Sequence, residues 1–196
     1  MERFYLPPEI KGVVFDIGNV LVPYNEDNVI DMLRSYTLNI SYDALFNLLF
    51  RSFVHLAFFM GYITPAKFYE SIRIKSDLRL TEREFFFIYN KVFQEPNQDI
   101  VRFLLECKKA DYKIGVLSNI DKNNFHFLYK KYNWFKSVDK FSTSFGVQYL
   151  KPDYRPFCMM EKKLGIKGEE IFYLDDNRSN LDTAEKRRWH THLVEL

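Results

Sequence analysis

The sequence predicts an α/β protein built on a parallel sheet, because short apolar runs alternate with amphipathic helical patterns. Three of these runs are nearly continuous, and they cover residues 12–15, 113–117 and 171–174. Continuous apolar runs of this length are typical of strands that are buried on both faces, as in parallel sheets. Strands that alternate with helices form an open sheet through right-handed crossovers. We therefore expect a Rossmann-like, doubly wound core of three α/β/α layers.

The remaining core elements follow the same alternation. Two weaker strands are expected at 140–145 and 190–194. Apolar side chains recur at helical spacing in three further segments, which we expect to be helices: 99–110, 123–132 and 153–164.

The segment that follows the first strand breaks the alternation and shows helical patterns only. Thr64-Pro65 combines an N-cap residue with proline at the first helical position. Thr81 and Glu84 have the spacing of a capping box. The sequence therefore predicts a core of residues 1–22 and 96–196, interrupted by a small helical bundle at 23–95.

Composition limits the functions that the chain can have. It has 196 residues, 47% of them hydrophobic, and a net charge of +2. These values fit a globular protein and exclude a disordered chain or a disulfide scaffold. The balanced charge argues against a nucleic-acid partner. No apolar run approaches the roughly 18 residues of a membrane span, and the N-terminus lacks a signal-peptide pattern. We expect a cytoplasmic protein with no membrane partner.

Aromatic residues are unusually frequent at 18%, with 20 Phe and 13 Tyr. Most of them fall at helical spacing in the insertion or beside the predicted strands, which indicates packing and suggests a coding bias. Stacking on nucleic acid would require a surrounding basic groove, and the sequence shows none. Functional aromatic residues are expected only where the insertion overhangs Asp16.

Polar side chains follow three of the predicted strands directly. Asp16 follows the first strand, Ser118 the second, and Asp175-Asp176 the next strong one. Ligands of open parallel sheets bind beyond the carboxyl ends of the strands, so these groups should converge on one cleft. Two carboxylates about 4 Å apart repel by about 4 kcal/mol at an effective dielectric near 20. Such a cluster must take up protons or hold a cation, and oxygen ligands favour Mg²⁺ over Zn²⁺.

Four short motifs occur in order along the chain. They are FDIGNVL at 15–21, LSN at 117–119, KPD at 151–153 and LDDNRSN at 174–180. The ordered set, with a helical insertion after the first motif, resembles the haloacid dehalogenase-like hydrolase superfamily over the whole chain. The FDxGNVL form is similar to phosphatases with an α-helical, C1-type cap. We therefore interpret the insertion as a cap, and we expect Pro152 to begin a helix.

The resemblance implies a role for each matching residue in phosphoryl transfer. Asp16 would be the nucleophile that forms an aspartyl-phosphate. Ser118 and the amide of Asn119 would bind the phosphoryl oxygens. Lys151 would bridge Asp16 and the phosphate and offset their negative charge.

The resemblance also implies a Mg²⁺ site beside the nucleophile. Asp16 and Asp176 would bind the ion directly, and Asp175 directly or through water. Gly18 would supply its backbone carbonyl, and Asn180 would orient the acids from behind.

Gly18 departs from the usual phosphatase motif, which has a second aspartate at this position as general acid and base. Such a group contributes about 10²–10⁴-fold. Our hypothesis is that the leaving group needs little protonation, as in an anomeric sugar phosphate. Alternatively, a cap residue or metal-bound water supplies the proton, or the protein is slow or degenerate. Candidates for the cap side of the cleft are Tyr24, Asn25, Arg51 and His55.

The sequence thus predicts a Mg²⁺-dependent phosphatase acting on a small phosphorylated metabolite of the sugar-phosphate type, as a monomer or homodimer. One alternative is a metal-independent haloacid dehalogenase-type hydrolase, but the Asp175-Asp176 pair argues against it. The other is a slow or degenerate protein that acts as a binding or regulatory module, and Gly18 is the residue that keeps this alternative open.

Overall fold

The computed structural model describes residues 4–195 and contains a five-stranded sheet in which every neighbouring pair of strands is parallel. The strand order is β3-β2-β1-β4-β5. The strands are β1 (Gly12–Phe15), β2 (Lys113–Ser118), β3 (Lys140–Thr143), β4 (Ile171–Asp175) and β5 (His190–Leu193).

Five helices follow β1 before the chain returns to the sheet. They are α1 (Glu26–Arg34), α2 (Tyr42–Phe50), α3 (Phe53–Phe59), α4 (Pro65–Ser76) and α5 (Glu82–Tyr89). Thr64 caps α4 with its side chain, and Thr81 and Glu84 form the predicted capping box at α5. These helices enclose a hydrophobic cluster of their own, which includes Leu33 and Phe68.

Five more helices accompany the later strands and cover the sheet. They are α6 (Gln98–Lys109), α7 (Lys122–Lys131), α8 (Ser144–Val147), α9 (Tyr154–Leu164) and α10 (Arg178–Lys186). Successive residues of β1 point to opposite faces, so Val13 joins one core cluster and Val14 another. The first contains Leu104 of α6, and the second contains Met160 of α9. The predicted three-layer α/β/α core is confirmed.

Two local expectations are wrong at the third motif. Strand β3 ends at Thr143, and the next four residues form the short helix α8 instead of extending the strand. Pro152 does not begin a helix, because α9 begins at Tyr154. The side chain of Asp153 accepts a hydrogen bond from the N–H of Arg155 and thereby caps α9.

The two segments that join α1–α5 to the core run side by side. Tyr24 and Phe93 form an isolated antiparallel bridge. The N–H of Asn25 donates to the carbonyl of Val92 at 2.7 Å, and the N–H of Gln94 donates to that of Pro23 at 2.8 Å. The division at 23–95 into a core and a cap stays a prediction, and we use "cap" for that segment below. Within residues 4–195, the helices are all too short or too polar to cross a membrane.

Candidate active site

The register of the sheet brings the predicted polar groups to one edge. Phe15 pairs with Val116 on one side and with Leu174 on the other. Asp16 and Asp175, which come next, and Ser118, two residues beyond Val116, therefore lie close together at the carboxyl ends of β1, β4 and β2. All three are buried.

Lys151 lies at the centre of this group and connects two of the carboxylates. Its Nζ is 2.9 Å from Asp16 Oδ2 and 2.6 Å from Asp175 Oδ2, and its side chain is only 2% exposed. The Nζ also donates to the hydroxyl of Tyr173 at 3.0 Å. The loop between α8 and α9 thus delivers a buried ammonium group to the strand ends.

The side chain of Asn119 holds this loop in place. Its Oδ1 accepts a hydrogen bond from the N–H of Lys151 at 2.8 Å, and its Nδ2 donates to the carbonyl of Lys151 at 3.1 Å. The sequence resemblance implies a function for the amide of Asn119 only. The structure adds a second contribution, which is to position the backbone that carries the lysine.

Asp175 has hydrogen-bond partners for all of its lone pairs. Its Oδ1 accepts from the N–H of Asn177 at 2.8 Å and from Asn180 Nδ2 at 2.9 Å. Its Oδ2 accepts from Lys151 and from the Tyr173 hydroxyl, and Asn180 also approaches it at 3.1 Å. An ionised carboxylate offers about four lone-pair sites, so this one is saturated.

Asp176 is less constrained than Asp175 and is only partly buried. Its Oδ2 accepts a hydrogen bond from Asn19 Nδ2 at 3.0 Å. Asn19 has a φ of 55°, in the left-handed region that asparagine tolerates better than most residues. The carboxylates of Asp16, Asp175 and Asp176 each place one oxygen within 4.8 Å of the others.

Burial and the neighbouring charges shift the ionisation of the central groups. Burial raises the pKa of Asp16 to about 7; Lys151 opposes this increase, and the charge of Asp175 adds to it. Burial alone would lower the pKa of Lys151, but the charges of Asp16 and Asp175 outweigh it, and the pKa is raised. The lysine is therefore a permanent cation, whereas Asp16 needs further positive charge to be fully ionised at neutral pH.

A cleft of about 290 Å³ opens above these groups. Its core side contains six of the predicted site residues: Asp16, Gly18, Ser118, Asn119, Asp176 and Asn180, together with Lys151 at its base. Asp175 lies behind them. Of the residues predicted on the cap side, Tyr24, Arg51 and His55 line the cleft. The prediction for Asn25 is wrong, because its side chain caps α1 by accepting from the N–H of Asp27.

Charged and aromatic cap residues form the upper wall of the cleft. Arg51 makes a two-pronged ion pair with Glu26, with nitrogen–oxygen distances of 3.2 and 3.0 Å. The aromatic residues of this wall are Tyr24, Phe50, Phe59, Tyr89 and Phe93. Burial raises the pKa of Tyr24, and the carboxylates of Glu26, Asp176 and Asp16 add to the increase.

Two cleft residues carry buried polar atoms that lack a hydrogen-bond partner among the described residues. They are His55 Nε2 and Asn124 Oδ1. The hydroxyl of Tyr89, which also lines the cleft, is directed at the carboxylate of Asp121. Burial lowers the pKa of His55 to about 4, so the ring is neutral, and it donates to the backbone of Phe50. Sequence reasoning did not find Tyr89 or Asn124, because their patterns match ordinary helix positions.

Asp121 is buried at the start of α7, and its ionisation should make the stability of the protein depend on pH. Burial raises its pKa from 3.8 to about 7, although N–H groups at the start of α7 oppose the increase. Between these values the native state binds more protons than the unfolded state, so the free energy of unfolding falls as pH rises. Asp121→Asn keeps a good N-cap. Its stability relative to wild type should increase as the pH rises from about 5 to about 8.

Urea unfolding of both proteins at the two pH values measures this difference. Asp43→Asn, on the exposed first turn of α2, is the matched control and should show a much smaller change with pH. A difference between Asp121→Asn and wild type that shrinks as pH rises would contradict the assignment.

Comparisons with known proteins give a consistent result. A family model for haloacid dehalogenase-like hydrolases matches residues 10–186. Among curated proteins, no sequence match is found. A HAD family enzyme from Bacteroides thetaiotaomicron, solved in complex with magnesium and inorganic phosphate, has a TM-score of 0.84 and 22% identity, covering 95% of this chain and 94% of that one.

Two further solved structures have the same fold. A HAD-like family hydrolase from Porphyromonas gingivalis has a TM-score of 0.80 and 22% identity, covering 94% of this chain and 91% of that one. The L-2-haloacid dehalogenase from Xanthobacter autotrophicus has a TM-score of 0.64 and 20% identity, covering 94% of this chain and 77% of that one. At these identities the likeness is one of fold.

Proposed function

Because the chain belongs to the haloacid dehalogenase-like hydrolases, we propose that it is a Mg²⁺-dependent phosphatase that acts on a small phosphomonoester. The observation that carries the proposal is the meeting of Asp16, Asp176 and Lys151 in one cleft, with Ser118 beside them. Phosphoryl transfer depends on positioning and on charge stabilisation. This cleft offers a carboxylate nucleophile, a buried cation and a hydroxyl donor at the strand ends.

The residues present fit a magnesium ion. Asp16 and Asp176 and the backbone carbonyl of Gly18 would hold it, since hard oxygen ligands suit Mg²⁺. Asp175 has no free lone pair, so it acts by holding Lys151 and by accepting from Asn180. The raised pKa of Asp16 is a second sign of fit, because a nearby cation would favour the ionised nucleophile. When bound, the ion neutralises charge on the phosphoryl oxygens.

The chain's own residues divide the chemistry between them. Asp16 attacks phosphorus with one carboxylate oxygen and forms an aspartyl-phosphate, which water then hydrolyses. Ser118 donates its hydroxyl to a phosphoryl oxygen, and the amide of Asn119 adds a second donor. Lys151 offsets the negative charge of Asp16 and the phosphate, from a position set by Asn119 and Asp175.

The relatives support this proposal more than the alternatives. The Bacteroides thetaiotaomicron enzyme binds magnesium and inorganic phosphate, the two ligands that the proposed reaction requires. The fold likeness to a haloacid dehalogenase favours a second candidate function, attack of Asp16 on carbon without a metal. Three clustered carboxylates are poorly suited to that metal-free reaction, because the single cation of Lys151 does not balance three negative charges.

The cleft also favours a neutral leaving group that carries hydroxyls. Arg51 is neutralised by Glu26, and among the described residues that line the cap wall there is no other cation for a second phosphate or a carboxylate. The unpartnered atoms of His55 and Asn124 provide acceptors for the hydroxyl groups of a substrate, and buried polar atoms need such partners. A volume of about 290 Å³ suits a small metabolite. We propose a sugar-phosphate-like substrate.

A panel of phosphorylated metabolites tests the substrate class. Sugar and polyol monophosphates should be hydrolysed in the presence of Mg²⁺ and should outperform bisphosphates and phosphocarboxylates of similar size. EDTA should abolish turnover of all of them. Hydrolysis of 2-haloacids that persists in EDTA would instead establish the dehalogenase, and absence of both activities would favour a binding module.

Substitution of Asp176 tests the proposed metal site. Asp176→Asn removes one charge from the site, and we expect the Mg²⁺ concentration for half-maximal activity to rise by about 10-fold or more, since even indirect partners of a metal contribute about 10–100-fold. A Mg²⁺ titration of p-nitrophenyl phosphate turnover measures the change. Asp182→Asn, an exposed position paired with Arg178, is the control. An unchanged Mg²⁺ requirement in Asp176→Asn would contradict the assignment.

A further inference from the structure

A side chain at position 18 would crowd the ring of Tyr24. A Cβ atom built on Gly18 would lie 3.0 Å from Cε1 and 3.1 Å from Cδ1 of the Tyr24 ring. Gly18 does not have a positive φ, so its backbone does not require glycine. The ring of Tyr24 therefore explains the glycine, because the two residues share one space beside the nucleophile.

The backbone places Tyr24 firmly against this position. Its N–H donates to Asn19 Oδ1 at 3.3 Å, and Nδ2 of the same asparagine side chain donates to Asp176. On its other side, Tyr24 forms the bridge with Phe93 that joins the two connecting segments. The ring thus lies in the cleft with Asp16 and Asp176, and both carboxylates act electrostatically on its phenol.

We propose that the Tyr24 hydroxyl donates a hydrogen bond to the leaving-group oxygen of the phosphomonoester, in the place of the side chain that position 18 lacks. This inference rests on the proposed phosphatase function and adds a catalytic residue to it. Negative charge develops on the leaving oxygen as its bond to phosphorus breaks, and a donor aimed at that charge stabilises the transition state. A tyrosine hydroxyl is such a donor at neutral pH.

Other polar groups of the cleft fit this task less well. His55 donates one ring N–H to the backbone of Phe50, so its free Nε2 is an acceptor when the ring is neutral. Lys151 is bound by Asp16, Asp175 and Tyr173 below the cleft. Among the residues that line the cleft, Tyr24 is the one whose ring fills the space beside Gly18.

Two aryl phosphates of nearly equal shape show whether Tyr24 acts as a hydrogen-bond donor or only lines the cleft. Phenyl phosphate has a poor leaving group and p-nitrophenyl phosphate a good one, so only the first depends strongly on a donor. We expect Tyr24→Phe, which keeps the ring, to lower kcat for phenyl phosphate by about 10²-fold and to change kcat for p-nitrophenyl phosphate far less. Equal losses for both substrates, or no loss for either, would overturn the inference.

Tyr36→Phe is the matched control, because Tyr36 lies in the cap with 43% exposure against 42% for Tyr24 and does not line the cleft. It should leave both rates unchanged. If wild-type protein with Mg²⁺ hydrolyses neither aryl phosphate nor any member of the metabolite panel, the proposed function fails. If wild type is active and Tyr24→Phe does not discriminate between leaving groups, only the role of Tyr24 fails.

A second pair of variants tests whether a side chain at position 18 competes with the Tyr24 ring for the same space. In wild type, Gly18→Asp should lower phenyl phosphate turnover, because the new side chain collides with the Tyr24 ring. In a Tyr24→Ala background the same substitution should raise turnover by about 10-fold, since general acid help is worth about 10²–10⁴-fold when fully placed. Gly18→Asp that is fully active in wild type would show that the two side chains do not compete.

Discussion

Asp16→Asn is expected to lower kcat for p-nitrophenyl phosphate by about 10⁴-fold or more, as removal of a nucleophile does in other covalent mechanisms. The amide has the shape of the carboxylate but cannot attack phosphorus or hold a cation comparably. Its oxygen can still accept the hydrogen bond that the N–H of Ile17 donates to Asp16 Oδ1 at 2.7 Å. The loss should therefore be chemical, and the fold should be retained.

Stability and activity measured together test this expectation. The amide gives up the ion pair with Lys151, but Lys151 keeps Asp175 as its partner at 2.6 Å, so Asp16→Asn should remain folded. Asp153→Asn is the matched control, because Asp153 lies in the same loop as Lys151, outside the cleft, and caps α9, where asparagine caps equally well. Substantial Mg²⁺-dependent turnover by Asp16→Asn would reject the covalent mechanism.

The parts of this site that could be predicted are those set by strand ends. Asp16 and Ser118 each follow an apolar run, and parallel register then brings them together whatever the rest of the chain does. Lys151 was more difficult, since it follows a short helix that the sequence pattern did not show. Its motif and its expected place between a strand and a helix identified it, although the structure puts α8 before it and begins α9 at Tyr154.

The residues that the sequence could not assign act through contacts between distant segments. The side chain of Asn119 holds a loop 32 positions away, and the ring of Tyr24 fills the space above Gly18. Asp121 and Tyr89 are in contact although they belong to different segments. The sequence could not show this, because aspartate is an ordinary helix cap and tyrosine an ordinary member of an apolar stripe. Such roles depend on how the cap lies on the core, which periodicity does not encode.

The many aromatic residues include some that only pack in the interior and some that line the cleft. Most of these rings pack in the hydrophobic clusters of the cap and of the sheet, as for Phe68 and Phe85 in the cap and Phe135 beside the sheet. The cap wall nevertheless places Tyr24 and Tyr89 over the nucleophile, in the one region where the sequence led us to expect functional aromatic residues. For Tyr24 the hydroxyl, more than the ring face, is the group that we propose takes part in the chemistry.

Lys151→Met is expected to lower the free energy of unfolding by about 3–5 kcal/mol near neutral pH, because it leaves buried carboxylates without their cation. Methionine matches the length of the lysine stem, so the loss arises mainly from charge. Asp16 and Asp175 then repel each other in a site where Asp175 is fully buried and Asp16 almost so. Catalysis should be lost as well, since the phosphate would approach this uncompensated charge.

The pH dependence distinguishes lost charge from lost packing. Lys151 opposes the rise in the pKa of Asp16, so without it the Asp16 carboxyl should bind a proton in the native state at pH values where the unfolded chain has released it. The native state is then favoured as pH falls, so the deficit of Lys151→Met should be smaller at about pH 5 than at about pH 8. Lys108→Met breaks the exposed pair with Asp139 and should cost less than about 1 kcal/mol. Urea unfolding of the three proteins at both pH values measures these differences; a deficit in Lys151→Met that does not change with pH would assign the lysine a packing role.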